Sequence, residues 1–192
     1  MLNAEIPDVS GAKAPYPVIS GPATCLSLYM APGSALDIGP SGALTVNGTF
    51  TNAGGTLTIK SDATGTGSLI ESNGVNATVE RYLSQDAWHY ISAPVDDPNT
   101  SVFTGLYMMW WDEPTEYWKW VFSADSTLAI DMQGYALWSD GAMTGNTTVS
   151  FNGALNTGSK SISVTRVEEV PLGEHTGYNF VGNPYPSSRE LE

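Results

Sequence analysis

The chain has 192 residues, enough for one large domain or two small ones with a real core. Hydrophobic residues make up 41% of it and charged residues only 14%, and 7 Lys+Arg face 20 Asp+Glu for a formal net charge of −13. A field of that sign repels phosphate backbones and anionic bilayers, so nucleic-acid binding is excluded and membrane-surface attachment disfavoured. No stretch reaches the ~18 apolar residues that a membrane helix needs, so no membrane insertion is expected.

With so few charges, the polar surface must come from Ser, Thr, Asn and Gly. The 20 Gly and 12 Pro argue against long helices. Cys25 is the only cysteine, so no internal disulfide forms and the thiol reads as a small inert residue. The opening MLNAEIPDVS lacks the basic and apolar regions of a signal peptide. The closing Leu191-Glu192 reads as a remnant of cloning, and the chain as a piece of a larger, processed protein.

In chain order, residues 1–33 read as an extended Pro-rich lead-in (Pro7, Pro15, Pro17, Pro22) with one strand at 25–30. Residues 34–78 carry a repeating core pair: Leu36/Ile38, Leu44/Val46, Leu57/Ile59, then Leu69. Spacing by two puts each pair on one face of a strand. Gly39-Pro40, Asn47-Gly48, Gly54-Gly55 and Gly65-Thr66-Gly67 mark turns between them. A meander of hairpins or the rungs of a parallel β-helix both fit, and the Gly-x-Leu-x-Val/Ile beat favours rungs with Leu36, Leu44, Leu57 and Leu69 in one core.

From residue 79 to 190 the strands lengthen and aromatics concentrate. Trp88 to Pro94 reads as a strand stopped by proline. Residues 106–111 and 117–122 read as a hairpin, with Trp118, Trp120 and Phe122 on one face and Tyr117, Lys119 and Val121 on the other. Further strands are expected at 134–138, 147–151, 161–167 and 178–181, and at most two helical turns at 126–132. The fold class is therefore all-β: a short β-helix-like or hairpin ladder followed by an antiparallel, jelly-roll-like β-sandwich.

Several phrases, in order, match a recurrent module. They include Gly42-Ala-Leu-Thr-Val-Asn-Gly-Thr49, Gly65-Thr-Gly-Ser-Leu-Ile70 and Val79-Glu-Arg-Tyr-Leu83. Trp88-His-Tyr-Ile-Ser-Ala-Pro94, Trp111-Asp-Glu113, Gly134-Tyr135, Phe151-Asn-Gly-Ala-Leu-Asn-Thr-Gly158 and Gly177-Tyr-Asn-Phe-Val-Gly-Asn-Pro-Tyr-Pro-Ser187 continue the series. Together they resemble a β-rich module of large secreted and cell-surface proteins of Bacteroidetes, of the kind that carries a C-terminal sorting domain for type IX secretion. The resemblance implies export and surface display, and it brings no catalytic residues with it. In look-alikes more β-rich sequence follows the Asn-Pro-Tyr-Pro phrase.

For chemistry, Asp112, Glu113, Glu116 and Asp125 are carboxylates, but three of them sit in one apparent turn and nothing pairs them as glycoside hydrolysis would require. His89, flanked by Trp88 and Tyr90, suits packing better than proton transfer, and His175 is the only other imidazole. No nucleophile elbow, phosphate loop or zinc cluster appears. Asp96, Asp97 and Asn99 with Thr100 form an oxygen-rich loop that could hold calcium, without the spacing of a defined motif. Asn-x-Ser/Thr triplets at Asn47, Asn76, Asn99 and Asn146, and Asp125-Ser126-Thr127, are glycosylation-like but of low specificity.

The strongest functional feature is aromatic. Of six Trp, Trp110, Trp111, Trp118 and Trp120 cluster within the hairpin. Either they fill a sandwich core, or exposed indoles stack on sugar rings. Trp110 and Trp111 must point to opposite faces, so one is exposed unless both faces are covered. Trp111, Tyr117 and Trp120 are the expected sugar-contacting residues, with Trp110 the alternative to Trp111. The expected function is a non-catalytic structural or adhesive module of a secreted cell-surface protein, with a carbohydrate-binding module on the Trp-rich sheet as the alternative. Its partners would be glycans or other cell-surface proteins, and solvent exposure of the tryptophans separates the two readings.

Overall fold

A three- or four-residue strand bounded by Gly and Pro cannot bury a face alone, but stacked coils of such strands can. The computed structural model describes residues 2–9, 11, 15–96, 98–122, 132–167 and 176–187, and over the first part of the chain it shows that solution. The first coil is β1 (Ala4–Ile6), β2 (Val18–Ile19) and β3 (Pro22–Cys25), and the second is β4 (Leu28–Met30), β5 (Ala35–Ile38) and β6 (Ala43–Val46). The third holds β7 (Phe50–Asn52) and β8 (Thr56–Ile59), a small hairpin of β9 (Ser61–Asp62) and β10 (Gly65–Thr66), then β11 (Ser68–Ile70). β12 (Asn76–Leu83) continues the stack.

Every coil-to-coil pairing is parallel. β1, β4 and β7 form one side, β3, β6 and β11 a second, and β2, β5, β8 and β12 a third. Register aligns Ile19, Ile38, Ile59 and Val79 on the third side and Leu44 with Leu69 on the second. Successive members are roughly twenty residues apart, a solenoid-sized repeat. Leu36, Leu44, Leu57 and Leu69 are all buried in one core, as the ladder reading requires.

The glycine beat has a steric cause. A Cβ on Gly42 would lie 2.1 Å from the Ile19 carbonyl oxygen one coil below. A Cβ on Gly67 would lie 2.8 Å from the carbonyl oxygens of Ile38 and Gly39. Corners stack backbone on backbone, and only glycine leaves room for that approach.

The Pro-rich lead-in expected over 1–33 is thus corrected: it supplies the first coil and opens the second. Pro22 takes the first position of β3, where its missing N–H costs no ladder bond. Cys25 closes the same strand, and burial pushes its thiol pKa up, in keeping with an inert role.

The expected boundary at residue 78 falls inside β12, which joins the two regions. It pairs in parallel with β8 and, along its whole length, antiparallel with β17 (Thr147–Ala154). Between them lie β13 (Ala87–Ile91), β14 (Tyr107–Asp112), β15 (Tyr117–Trp120) and β16 (Tyr135–Ser139), an antiparallel sheet in the order β13-β16-β14-β15. Ile91, Met108, Tyr135 and Leu137 on its inner face share one hydrophobic core with Val79, Leu83, Val149 and Phe151. Phe103 meets Phe151 edge-on, ring centroids 5.6 Å apart.

Two expected strands differ. Residues 161–167 join no sheet, and 178–181 contribute a single bridge, Val181 to Gln133. The backbone of Thr165 bonds to a side chain instead: its N–H donates to Asn179 Oδ1 at 3.2 Å, and Asn179 Nδ2 donates to Thr165 O at 2.8 Å. The helical turns expected at 126–132 fall almost wholly outside the described residues. Among the described residues no helix is long and apolar enough to cross a membrane.

Candidate functional site: an aromatic sheet face

Residues paired across an antiparallel sheet share a face, and neighbours along a strand alternate. The register Trp88–Trp138–Tyr107 and Tyr90–Ala136–Met109–Trp120, with Trp111 opposite Trp118, collects these side chains on one face. Every tryptophan except Trp110 is on it. Trp110 points inward and packs against the core.

Much of the outer face is open to solvent. Trp120 is 52% exposed, Trp88 45%, Tyr107 43% and Trp118 40%. The rings interlock rather than stack: Trp111–Trp118 centroids are 5.6 Å apart at 69°, and Tyr107–Trp120 centroids 6.2 Å apart at 67°. Edge-on contacts of this kind hold each ring in place while leaving part of its π face to solvent. They leave two open clefts. Trp88, Tyr107, Trp120 and Trp138 line one of about 300 Å³, and Trp111, Trp118, Tyr178, Asn179 and Phe180 line another of about 330 Å³.

A C-terminal strap, residues 176–187, forms one wall of the second cleft. Trp111 Nε1–H donates to Tyr178 O at 2.6 Å, and Phe180 meets both Trp118 and Tyr90 edge-on. Gly134 is required beneath the Phe180 ring, since a Cβ there would lie 2.8 Å from it. Glu113 anchors the strap: its buried Oε1 accepts the N–H groups of Val167 at 2.9 Å and Gly177 at 2.8 Å.

A profile described as Domain of unknown function (DUF8693) matches residues 4–192. The chain belongs to the DUF8693 family. No curated protein and no solved structure matches it.

In this DUF8693 chain the expected sugar contacts are brought together only in part. Trp111 and Trp120 share the outer face. Tyr117, although 70% exposed, stands opposite Asp112 and so points to the other side. Trp118 takes its place, as the alternation along β15 already implied. Trp88, Trp138 and Tyr107 complete the face, and only the pairing of β16 with both β13 and β14 could have found them, because they are far apart in sequence.

The calcium loop of the DUF8693 chain has its oxygens engaged. Asn99 Oδ1 accepts Ser101 N–H at 2.8 Å as the cap of a short 3-10 turn, and Lys160 Nζ lies 3.9 Å from Asp96 Oδ1. Asp97 lies outside the described residues. Among those residues no three His, Cys, Asp or Glu gather as a metal site.

The hairpin carboxylates are engaged too: Asp112 with Lys119 at 3.5 Å, Glu116 with Thr176 Oγ1 at 2.6 Å, and Glu113 with the strap. Asp125 and His175 lie outside the described residues. His89 Nε2 lies 2.9 Å from Ser84 O, which can only accept, so that nitrogen carries the proton and is not a free base.

Glu113 gives the strap a pH dependence. The Val167 N–H holds its carboxyl below the usual range, helped by the Thr165 hydroxyl, the Gly177 N–H and the Arg166 charge against the opposing effect of burial. A carboxyl whose folded pKa is depressed stabilises the fold fully above its unfolded value, about 4.3, and loses that contribution as pH falls through the lower folded value. Denaturant midpoints should therefore decline below about pH 4.3, and Glu113→Gln should flatten that decline. An unchanged acid limb in the variant would assign the decline to other carboxylates.

Proposed function

We propose that the DUF8693 chain is a non-catalytic, glycan-binding adhesive module of a secreted or surface-displayed bacterial protein. The observation that carries this reading is the row of solvent-facing tryptophans on the outer sheet face. An exposed apolar patch of this extent on a folded domain marks an interaction surface, because solubility alone would select against it. Indole faces offer the C–H faces of sugar rings a rigid, apolar platform, and both clefts are of ligand size. A surface poor in charge and rich in Ser, Thr, Asn and Gly suits an exported β protein, and the resemblance to Bacteroidetes surface modules supports the same placement.

Each stacked ring adds little, so a single site binds weakly and useful adhesion rests on multivalent display. A glycan array probed with and without calcium tests the reading. Trp120→Ala and Trp88→Ala, both on exposed rings, should each lower apparent affinity roughly tenfold, about 1.4 kcal/mol, with little change in melting temperature. A silent array, or full binding by both folded variants, would return the face to a purely structural role.

A further inference from the structure

A further cavity, of about 560 Å³, lies along the edge strand β13. Arg81 lines it from β12. Along this strand Ala77, Val79 and Leu83 are buried, so alternation assigns Arg81 to the inward side, between Val79 and Leu83. Arg81 itself is half-buried, and a guanidinium drawn partly out of water without a counter-charge is disfavoured in such a row.

Its partners do not offset that cost. Nη1 donates to the Glu80 carbonyl oxygen at 2.8 Å. The Glu80 carboxylate is turned away, toward Lys60 at 3.2 Å and the Ser61 N–H at 3.2 Å. Among the described residues no carboxylate forms an ion pair with Arg81, in a chain where acidic residues outnumber basic ones 20 to 7. Burial pushes its pKa down to about 10. The planar guanidinium has further N–H donors, in the fork geometry that matches a carboxylate.

We propose that this cavity is a second subsite that takes the carboxylate of an acidic sugar, such as a uronate, with the Arg81 guanidinium as its counter-charge. The sugar part rests on the glycan reading above. The cavity is lined in part by Tyr90 and Phe180, whose rings also belong to the aromatic face, so the two sites adjoin. Tyr82, Tyr90 and Phe180 are among its lining residues, and the volume admits a pyranose. A singly charged carboxylate also suffers less from the net charge of −13 than a phosphate dianion does.

The test titrates the full chain with tetragalacturonate and with its carboxyl-reduced neutral counterpart, using wild type, Arg81→Met and Arg81→Lys. Wild type should prefer the acidic tetramer by ~10-fold or more. Arg81→Met should abolish that preference and leave neutral binding unchanged, and Arg81→Lys should retain part of it. Neutral binding, which Trp120→Ala weakens roughly tenfold, reports on the aromatic face alone, so the two readings fail separately. Should Arg81→Met not fold, the Arg81 guanidinium NMR resonance of wild type serves instead, and it should shift on adding the acidic tetramer. Equal binding of both tetramers, an acid preference that survives in Arg81→Met, an unmoved resonance, or a Glu-containing peptide that outcompetes the uronate would each overturn the proposal.

Discussion

Phe151→Ala should destabilise the fold by about 3–5 kcal/mol, the range for removing a fully buried phenylalanine. Phe151 is 1% exposed, lies on β17 opposite Val79 of β12, and meets Phe103 edge-on. It therefore stands where the last solenoid strand, its antiparallel neighbour and the 3-10 turn at Thr100–Phe103 come together. Truncation removes the transfer free energy, leaves a cavity that β-sheet backbones on both sides cannot collapse to fill, and forfeits a ring pair. Urea unfolding of wild type and variant measures the loss. A cost under ~1 kcal/mol would mean that the two layers are not joined through this ring.

Leu57→Ala should cost about 2–5 kcal/mol. Leu57 is 2% exposed and stacks on Leu36 of the coil before it. The informative part of the result is where the loss is seen. The tryptophans all lie on the antiparallel sheet, far along the chain from Leu57, so their fluorescence reports on that sheet. Because β12 is hydrogen-bonded to both β8 and β17, the fluorescence midpoint should fall together with the far-ultraviolet circular dichroism midpoint. A fluorescence transition that stays in place while circular dichroism shifts would show two independent units.

The solenoid was legible because its signal is local. Gly-x-Leu-x-Val repeats within a few residues, and the same residues then stack in register. The first coil was not, because β1 and β2 are short, lie among prolines, and have no alternation of their own. Their strand character comes from the coil above them, as in the parallel pairing of Val18 and Ile19 with Asp37 and Ile38.

The 107–120 hairpin was readable from its turn, and its alternation correctly separated Trp118 and Trp120 from Tyr117. Choosing Tyr117 as a sugar contact went against that same alternation. The full aromatic face was beyond reach, because it depends on a non-sequential strand order that sets Trp138 between Trp88 and Tyr107. Glu113 has the local sequence of a turn residue, and its burial depends on the strap from the far end of the chain, which no local pattern announces.

The two pairings of β12 also set how the molecule answers to tension. On the parallel sides of the coils, a pull through the chain leaves a stacked pair from opposite ends and loads its hydrogen bonds together, in shear. In the antiparallel pair, Asn76 faces Ala154, so the chain enters β12 and leaves β17 at the same end. The same pull loads that ladder one bond at a time and peels it open. Once the strap has been pulled away, force therefore separates β17 from β12 before it opens the coils, with Leu36, Leu44, Leu57 and Leu69 inside, and loosens the sheet that displays the aromatic face.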